Sequence, residues 1–210
     1  MLALSIAVTL AAAQPASPPH ILARLPVDCV YDVVSASERE AIATMIEGRA
    51  SVDAIAGPPL AALERARDFC TRLYRWRREL TNLAVLHGLL RIRREHLLAA
   101  LPVSVEQRDA ISRLLTDFTR SDVAETYRRD PTALGRLVNP LLDQPPTPEQ
   151  QGSLQDWTRR LDAFLARPRA ALVTGIDRAA LRRLAGTIWS DVATVTLYDG
   201  VTAVESSRAR

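Results

Sequence analysis

Residues 59–101 read PLAALERARDFCTRLYRWRRELTNLAVLHGLLRIRREHLLAAL, and this stretch indicates the fold most clearly. Its apolar residues recur every three, four or seven positions, which places them on one face of an α-helix. The pattern pauses near Tyr74-Arg75-Trp76 and ends before Pro102. It therefore predicts either one long helix or two helices, and the usual length of helices in globular proteins favours two.

Further helices are predicted from capping signals, in which Ser or Thr is followed three residues later by Glu or Gln. Three such signals precede apolar-periodic segments: Ser37 with Glu40, Ser104 with Gln107, and Thr147 with Gln150. Asp177 supplies a fourth helix start. The expected helices span about 37–47, 104–119, 121–130, 132–142, 147–166 and 177–198.

The composition also favours helices. Apolar residues make up 48% of the chain and aromatic residues only 5%, so Ala and Leu carry most of the apolar content. We expect an all-α fold, an irregular helical bundle of about six to eight helices, following a disordered or cleaved N-terminal segment. The helical domain should span 28–198, with a hinge at 144–148, and 199–210 should be a frayed tail. The alternative for 195–204 is a β-hairpin around Asp199-Gly200.

The N-terminus resembles a secretory signal peptide. Residues 2–13 are uncharged and end in A-A-A, and a proline-rich linker over 14–27 follows. A helix of this length is about 18 Å long, too short to cross a bilayer core of about 30 Å. No basic residue precedes the apolar run, so a buried N-terminal helix is the alternative. We expect export to the periplasm or beyond, and a protein that does not span the membrane.

The two cysteines, Cys29 and Cys70, fit an exported protein with one disulfide. Cys29 lies in a lead segment that we expect to be irregular or extended, and Cys70 lies on the buried stripe of a helix. A bridge would close a loop of roughly 40 residues and stabilise the fold by about 4 kcal/mol. The alternatives are two free buried thiols, or a reactive or metal-binding pair.

No catalytic, cofactor or metal site is predicted. His87 and His96 stand nine residues apart, which is not the spacing that brings two ligands to one helical face, and His20 lies in the proline-rich segment. The eight glycines form no phosphate-binding loop and no nucleophile motif is present. Neighbouring carboxylates and arginines are interpreted as surface ion pairs.

The densest feature is basic: Arg72, Arg75, Arg77 and Arg78 surround Trp76. One interpretation is a surface for an anionic envelope component or an acidic protein, since guanidinium binds carboxylate and phosphate in a bidentate manner. The other is a solvated face whose aromatic residues turn to the core. The net charge of +3 does not indicate nucleic-acid binding. We therefore expect an exported binding or structural protein of the bacterial envelope. The alternative is a small helical periplasmic hydrolase or lyase whose site is not visible in the sequence.

Overall fold

The computed structural model describes residues 26–49, 55–130, 133–134, 137, 145–167 and 172–208. The fold is all-α, as predicted from the sequence. A short 3-10 turn, Pro26–Asp28, comes first. The helices with described bounds are α1 Cys29–Val33, α2 Ala36–Arg49, α3 Gly57–Tyr74, α4 Arg78–Ala99, α5 Val105–Arg129, α6 Pro148–Leu165 and α7 Arg178–Arg208.

The stretch quoted first forms two helices, α3 and α4, as helix lengths favoured. The break falls at Arg75, whose φ of 54° is left-handed, and α4 begins two residues after Trp76. A left-handed residue is a common helix end because it turns the chain away from the helix axis. Glycine normally fills this position, so Arg75 is an unusual occupant.

Two of the three predicted capping boxes form as expected, and the helix of the third is capped by a different residue. The Ser104 hydroxyl accepts from the Gln107 N–H at 3.2 Å, and Gln107 accepts from the Ser104 N–H at 3.0 Å. Thr147 and Gln150 form the second box. The predicted box of Ser37 with Glu40 is wrong, because α2 begins at Ala36. Its cap is formed two residues earlier: the Ser35 N–H donates to Glu38 at 3.0 Å.

Two segments are more helical than expected. The lead segment containing Cys29 forms the 3-10 turn and α1, not an extended chain. The helices expected over 104–119 and 121–130 are one continuous helix, α5. Buried Asp122 lies within it, where it is held by partners from other helices, so it does not act as a helix start.

The last helix, α7, runs to Arg208. The segment from 199, which was expected to be a frayed tail, is therefore helical as far as Arg208, and no hairpin forms over 195–204. Tyr198 is buried and its ring contacts Trp76 edge to face, with centroids 6.0 Å apart. The Thr202 hydroxyl donates back to the Tyr198 carbonyl, which a β-strand would not allow. Tertiary contact on one side of the helix therefore outweighs the alternating sequence pattern.

Several of the predicted segments lie outside the described residues. The signal peptide over 1–13 and most of the linker over 14–27 lie outside the described residues. Most of the helix expected at 132–142 also lies outside them, as does the first residue of the hinge at 144–148.

The apolar core has two parts that share helices α4 and α7. One part contains α1, α2, α3 and α4 as far as Ile92, together with Tyr198 on α7. The other contains the last turn of α4, α5, α6 and the first half of α7. Helices α4 and α7 are therefore antiparallel. They are about 33 Å and 46 Å long at 1.5 Å per residue, and both cross the boundary between the two parts.

Candidate functional site

The disulfide expected from the sequence joins Cys29 at the start of α1 to Cys70 on α3. The Cα atoms are 6.0 Å apart, an ordinary separation for a disulfide, and both residues are at most 1% exposed. The bridge spans 41 positions. It fixes the lead segment against the helix that contains the arginines of the predicted patch.

Next to the disulfide, His87 on α4 links two aspartates from distant parts of the chain. Its Nδ1 lies 2.6 Å from Asp191 Oδ1 on α7, and its Nε2 lies 3.0 Å from Asp28 Oδ1 in the 3-10 turn. The imidazole is buried, and so is the Asp191 side chain. We call these three residues the Asp–His–Asp cluster. It lies where α4 and α7 pass between the two parts of the core.

The cluster holds His87 in its charged form. Burial alone would lower the pKa of the imidazole, but the hydrogen bonds and charges of Asp191 and Asp28 outweigh it and raise the pKa to about 9. The hydrogen bond from His87 is also the main reason that the pKa of Asp28 falls below its ordinary value. Near pH 7 the cluster is thus an imidazolium between two carboxylates.

The Asp–His–Asp cluster is suited to holding helices together and not to acting as a catalytic base. A general base needs a free ring nitrogen and a pKa near the working pH. In His87 each ring nitrogen faces a carboxylate, and the proton is held until about pH 9. The geometry therefore offers no imidazole nitrogen to a substrate.

Arg91 and Tyr31 connect the Asp–His–Asp cluster to the surface. Arg91 Nη1 donates to Asp28 at 2.6 Å, and its guanidinium lies 4.0 Å from the centroid of the Tyr31 ring. Arg39 approaches the same ring at 4.5 Å, and the Tyr31 hydroxyl donates to Glu95 at 2.6 Å. Burial, followed by the hydrogen bond to Glu95, raises the pKa of Tyr31. These contacts hold α1 against α4.

The predicted arginine patch lies at the turn between α3 and α4, which we call the arginine corner. Arg72, Arg75, Arg77 and Arg78 are exposed, whereas Trp76 is 9% exposed. The Trp76 ring stacks on Tyr74 at 5.2 Å and meets Tyr198 edge to face. The structure thus brings the four arginines to one corner and turns the tryptophan inward beneath them.

Three guanidinium groups of the arginine corner have no partner within the described part of the chain. Arg72, Arg75 and Arg78 make no ion pair or side-chain hydrogen bond to any residue that the structure describes. Most other surface arginines behave differently: Arg65 pairs with Glu38, for example, and Arg182 pairs with Asp162 at 2.7 Å. The corner is therefore a concentration of positive charge that its own carboxylates do not neutralise.

Exposed apolar side chains lie beside the corner on α3. Phe69 is 39% exposed and Leu73 is 46% exposed. Together with Arg72 they occupy positions i, i+3 and i+4, so all three project from one helix face. This face of α3 therefore presents one guanidinium and two large apolar side chains to solvent.

Sequence reasoning missed the Asp–His–Asp cluster. Its members are 59 and 104 positions apart along the chain, and no local motif links them. The only available signal was a histidine on an apolar helix face, a position that usually requires a partner. Gly88 follows it, and a Cβ there would lie 3.1 Å from the Val30 side chain, which shows how closely α1 approaches α4.

Comparison with known proteins gives no relative: no family model, curated protein or solved structure matches the chain. Within the described ranges, no group of three or more His, Cys, Asp or Glu side chains is arranged to hold a metal ion. None of the helices described is long and apolar enough to cross a membrane. The site must therefore be interpreted from its own geometry.

Proposed function

We propose that this protein is an exported binding protein of the bacterial envelope, and that its arginine corner docks on phosphate-bearing lipid headgroups. The observation that carries the proposal is the gathering of Arg72, Arg75 and Arg78 around buried Trp76, all three exposed and none paired with a carboxylate that the structure describes. Guanidinium binds phosphate through two parallel hydrogen bonds. Basic residues near an anionic bilayer each contribute about 1 kcal/mol.

The exposed apolar pair favours a lipid surface as the source of those phosphates. A soluble anion would need only the guanidinium groups. Phe69 and Leu73 instead present apolar area beside them, and such area can enter the boundary between headgroups and acyl chains. Trp76 supports the corner from below without reaching the surface.

The disulfide supports the proposed location. Bridges of this kind persist in the periplasm and outside the cell, and are rare where thiols are kept reduced. An exported protein would meet anionic lipid on the faces of the envelope membranes. The expected signal peptide over 1–13 provides the route.

Vesicle binding tests the proposal. The oxidised protein should co-sediment with vesicles containing phosphatidylglycerol and not with vesicles of phosphatidylcholine alone, and added salt should weaken the binding. Replacing Arg72, Arg75 and Arg78 together by Gln should reduce the affinity at least about tenfold, given about 1 kcal/mol per residue. Phe69→Ala with Leu73→Ala should weaken binding again at unchanged charge.

A matched variant separates the corner from net charge. Arg113, Arg120 and Arg178 are also exposed and have no ion pair within the described part of the chain, but they lie on α5 and α7. Their replacement by Gln removes the same charge and should leave most of the binding intact. Equal binding by both triple variants, or equal binding to both kinds of vesicle, would overturn the proposal.

A further inference from the structure

A cleft of about 490 Å³ lies between α5 and α6, away from the arginine corner. Each helix turns one face toward it. Its lining includes Asp117, Phe118 and Ser121 from α5, and Arg160, Phe164 and Arg167 from α6 and the residues just after it. Its volume falls within the range of small-molecule sites, which is about 300–1,000 Å³.

The floor of the cleft is a closed set of hydrogen bonds. Asp122 is 8% exposed and accepts from Arg160 Nε at 2.6 Å, from Arg160 Nη2 at 3.2 Å and from Trp189 Nε1 at 2.9 Å. Arg160 also pairs with Asp156. The floor joins α5, α6 and α7 and needs no ligand to satisfy it, so it gives the cleft a fixed shape.

The rim differs from the floor, because Asp117 and Arg167, one on each wall, form no ion pair with any residue that the structure describes. The side chains of Asp117 and Ser121 make no hydrogen bond or ion pair to a described residue. Arg167, on the opposite wall, makes no ion pair to a described residue. Arg167 lies 5.8 Å from the centroid of the Phe164 ring. The nearby Glu125 is already held by Arg128 and Arg129. One wall thus offers a carboxylate and the other a guanidinium.

Between the two charges lies an apolar surface. The rings of Phe118 and Phe164 pack with centroids 4.8 Å apart, and both residues are only partly buried. An apolar group bound there would cover ring surface that is now in contact with water. The complementary ligand therefore carries a positive end, a negative end and an apolar body.

We propose that this cleft binds short peptides with free termini and apolar side chains. The peptide ammonium would pair with Asp117, its carboxylate with Arg167, and a side chain would cover Phe118 and Phe164. The cleft has room for about sixteen water-sized groups at about 30 Å³ each, which suits a dipeptide better than a small ion. The proposal is independent of the lipid docking at the arginine corner.

Calorimetric titration of the oxidised protein with leucyl-leucine tests the idea. The dipeptide should bind, whereas N-acetyl-leucyl-leucine and leucyl-leucinamide should each bind at least about tenfold more weakly, because each lacks one charge-assisted hydrogen bond. The indole N–H resonance of Trp189 should shift on titration, because that group donates to the cleft floor.

Variants assign each end of the ligand. Asp117→Asn should weaken binding of leucyl-leucine about tenfold and leave binding of the acetylated form unchanged, because the charge that Asp117 recognises is absent from it. Arg167→Gln should weaken binding of leucyl-leucine about tenfold and leave binding of leucyl-leucinamide unchanged, because the amide lacks the charge that Arg167 recognises. Asp109→Asn and Arg113→Gln on α5 are the matched controls. Absence of binding by the wild type at millimolar dipeptide, or equal binding of blocked and free forms, would overturn the proposal.

Discussion

His87 connects three segments of the chain through one ring. Its nitrogens face Asp28, in the turn before α1, and Asp191 on α7, while the residue itself lies on α4. Loss of the imidazolium would leave a buried carboxylate without its cation, and such changes are strongly destabilising. We therefore assign this histidine to the stability of the fold rather than to chemistry on a substrate.

The raised pKa of His87 predicts how stability depends on pH. A group whose pKa is higher in the folded state stabilises it fully below the unfolded value, here 6.5, and loses that effect as the pH rises through about 9. A shift of this size corresponds to roughly 3 kcal/mol. His87→Gln should therefore cost about 3 kcal/mol of unfolding free energy at pH 6 and much less at pH 10, as measured by urea denaturation.

His96→Gln is the control for that experiment, because His96 lies on the same helix and outside the Asp–His–Asp cluster. Its effect on the free energy of unfolding should be small. Parallel stability curves for the wild type and His87→Gln between pH 6.5 and 9 would show that the buried imidazole is not charged in the folded protein. At acid pH the lowered pKa of Asp28 acts in the opposite sense, since its contribution is lost as the pH falls.

At the scale of elements, the end of α3 combines backbone strain with exposed charge. Arg75 adopts a left-handed conformation that costs an L-residue roughly 1–2 kcal/mol and costs glycine nothing comparable. Its side chain makes no ion pair with the described residues that could offset the cost. A positive charge is thus kept at a position where backbone geometry favours glycine.

Arg75→Gly should therefore change stability and binding in opposite directions. We expect the free energy of unfolding to rise by about 0.5–1 kcal/mol, because the strain at the end of α3 is relieved. Binding to phosphatidylglycerol vesicles should fall several-fold. Denaturation and vesicle co-sedimentation measure the two effects, and Arg75→Gln separates charge from backbone, since it should lower the binding without raising the stability.

The elements themselves were predictable to different degrees, for physical reasons. The boxes at Ser104 and Thr147 were predicted because a cap involves residues only three positions apart. The end of α7 was not, because its helical course depends on Tyr198 meeting Trp76, more than a hundred positions away. The arginine corner could be predicted because its four arginines are close together in the sequence. The α5–α6 cleft could not, because it forms only where the faces of two helices meet.

At the scale of the whole molecule, the Cys29–Cys70 bridge and the Asp–His–Asp cluster act on the same segment. Both attach the 3-10 turn and α1 to the rest of the bundle, the first through α3 and the second through α4 and α7. The bridge acts mainly by restricting the unfolded chain, whereas the cluster acts in the folded state.

Replacing Cys29 and Cys70 together by Ala should lower the free energy of unfolding by about 4 kcal/mol, the value for a closed loop of this length. The helical content should remain, because the cluster still holds α1 in place. Urea denaturation and far-ultraviolet circular dichroism measure the two effects. A loss below about 1 kcal/mol would mean that the unfolded chain is already constrained near the two cysteines.

The cysteine count has a consequence for how the protein matures. With two cysteines in the chain, both in the bridge, oxidation within one molecule can produce a single product. No mispaired isomer exists to be corrected. Maturation of the protein should therefore depend on a thiol oxidant and be indifferent to the loss of a disulfide isomerase.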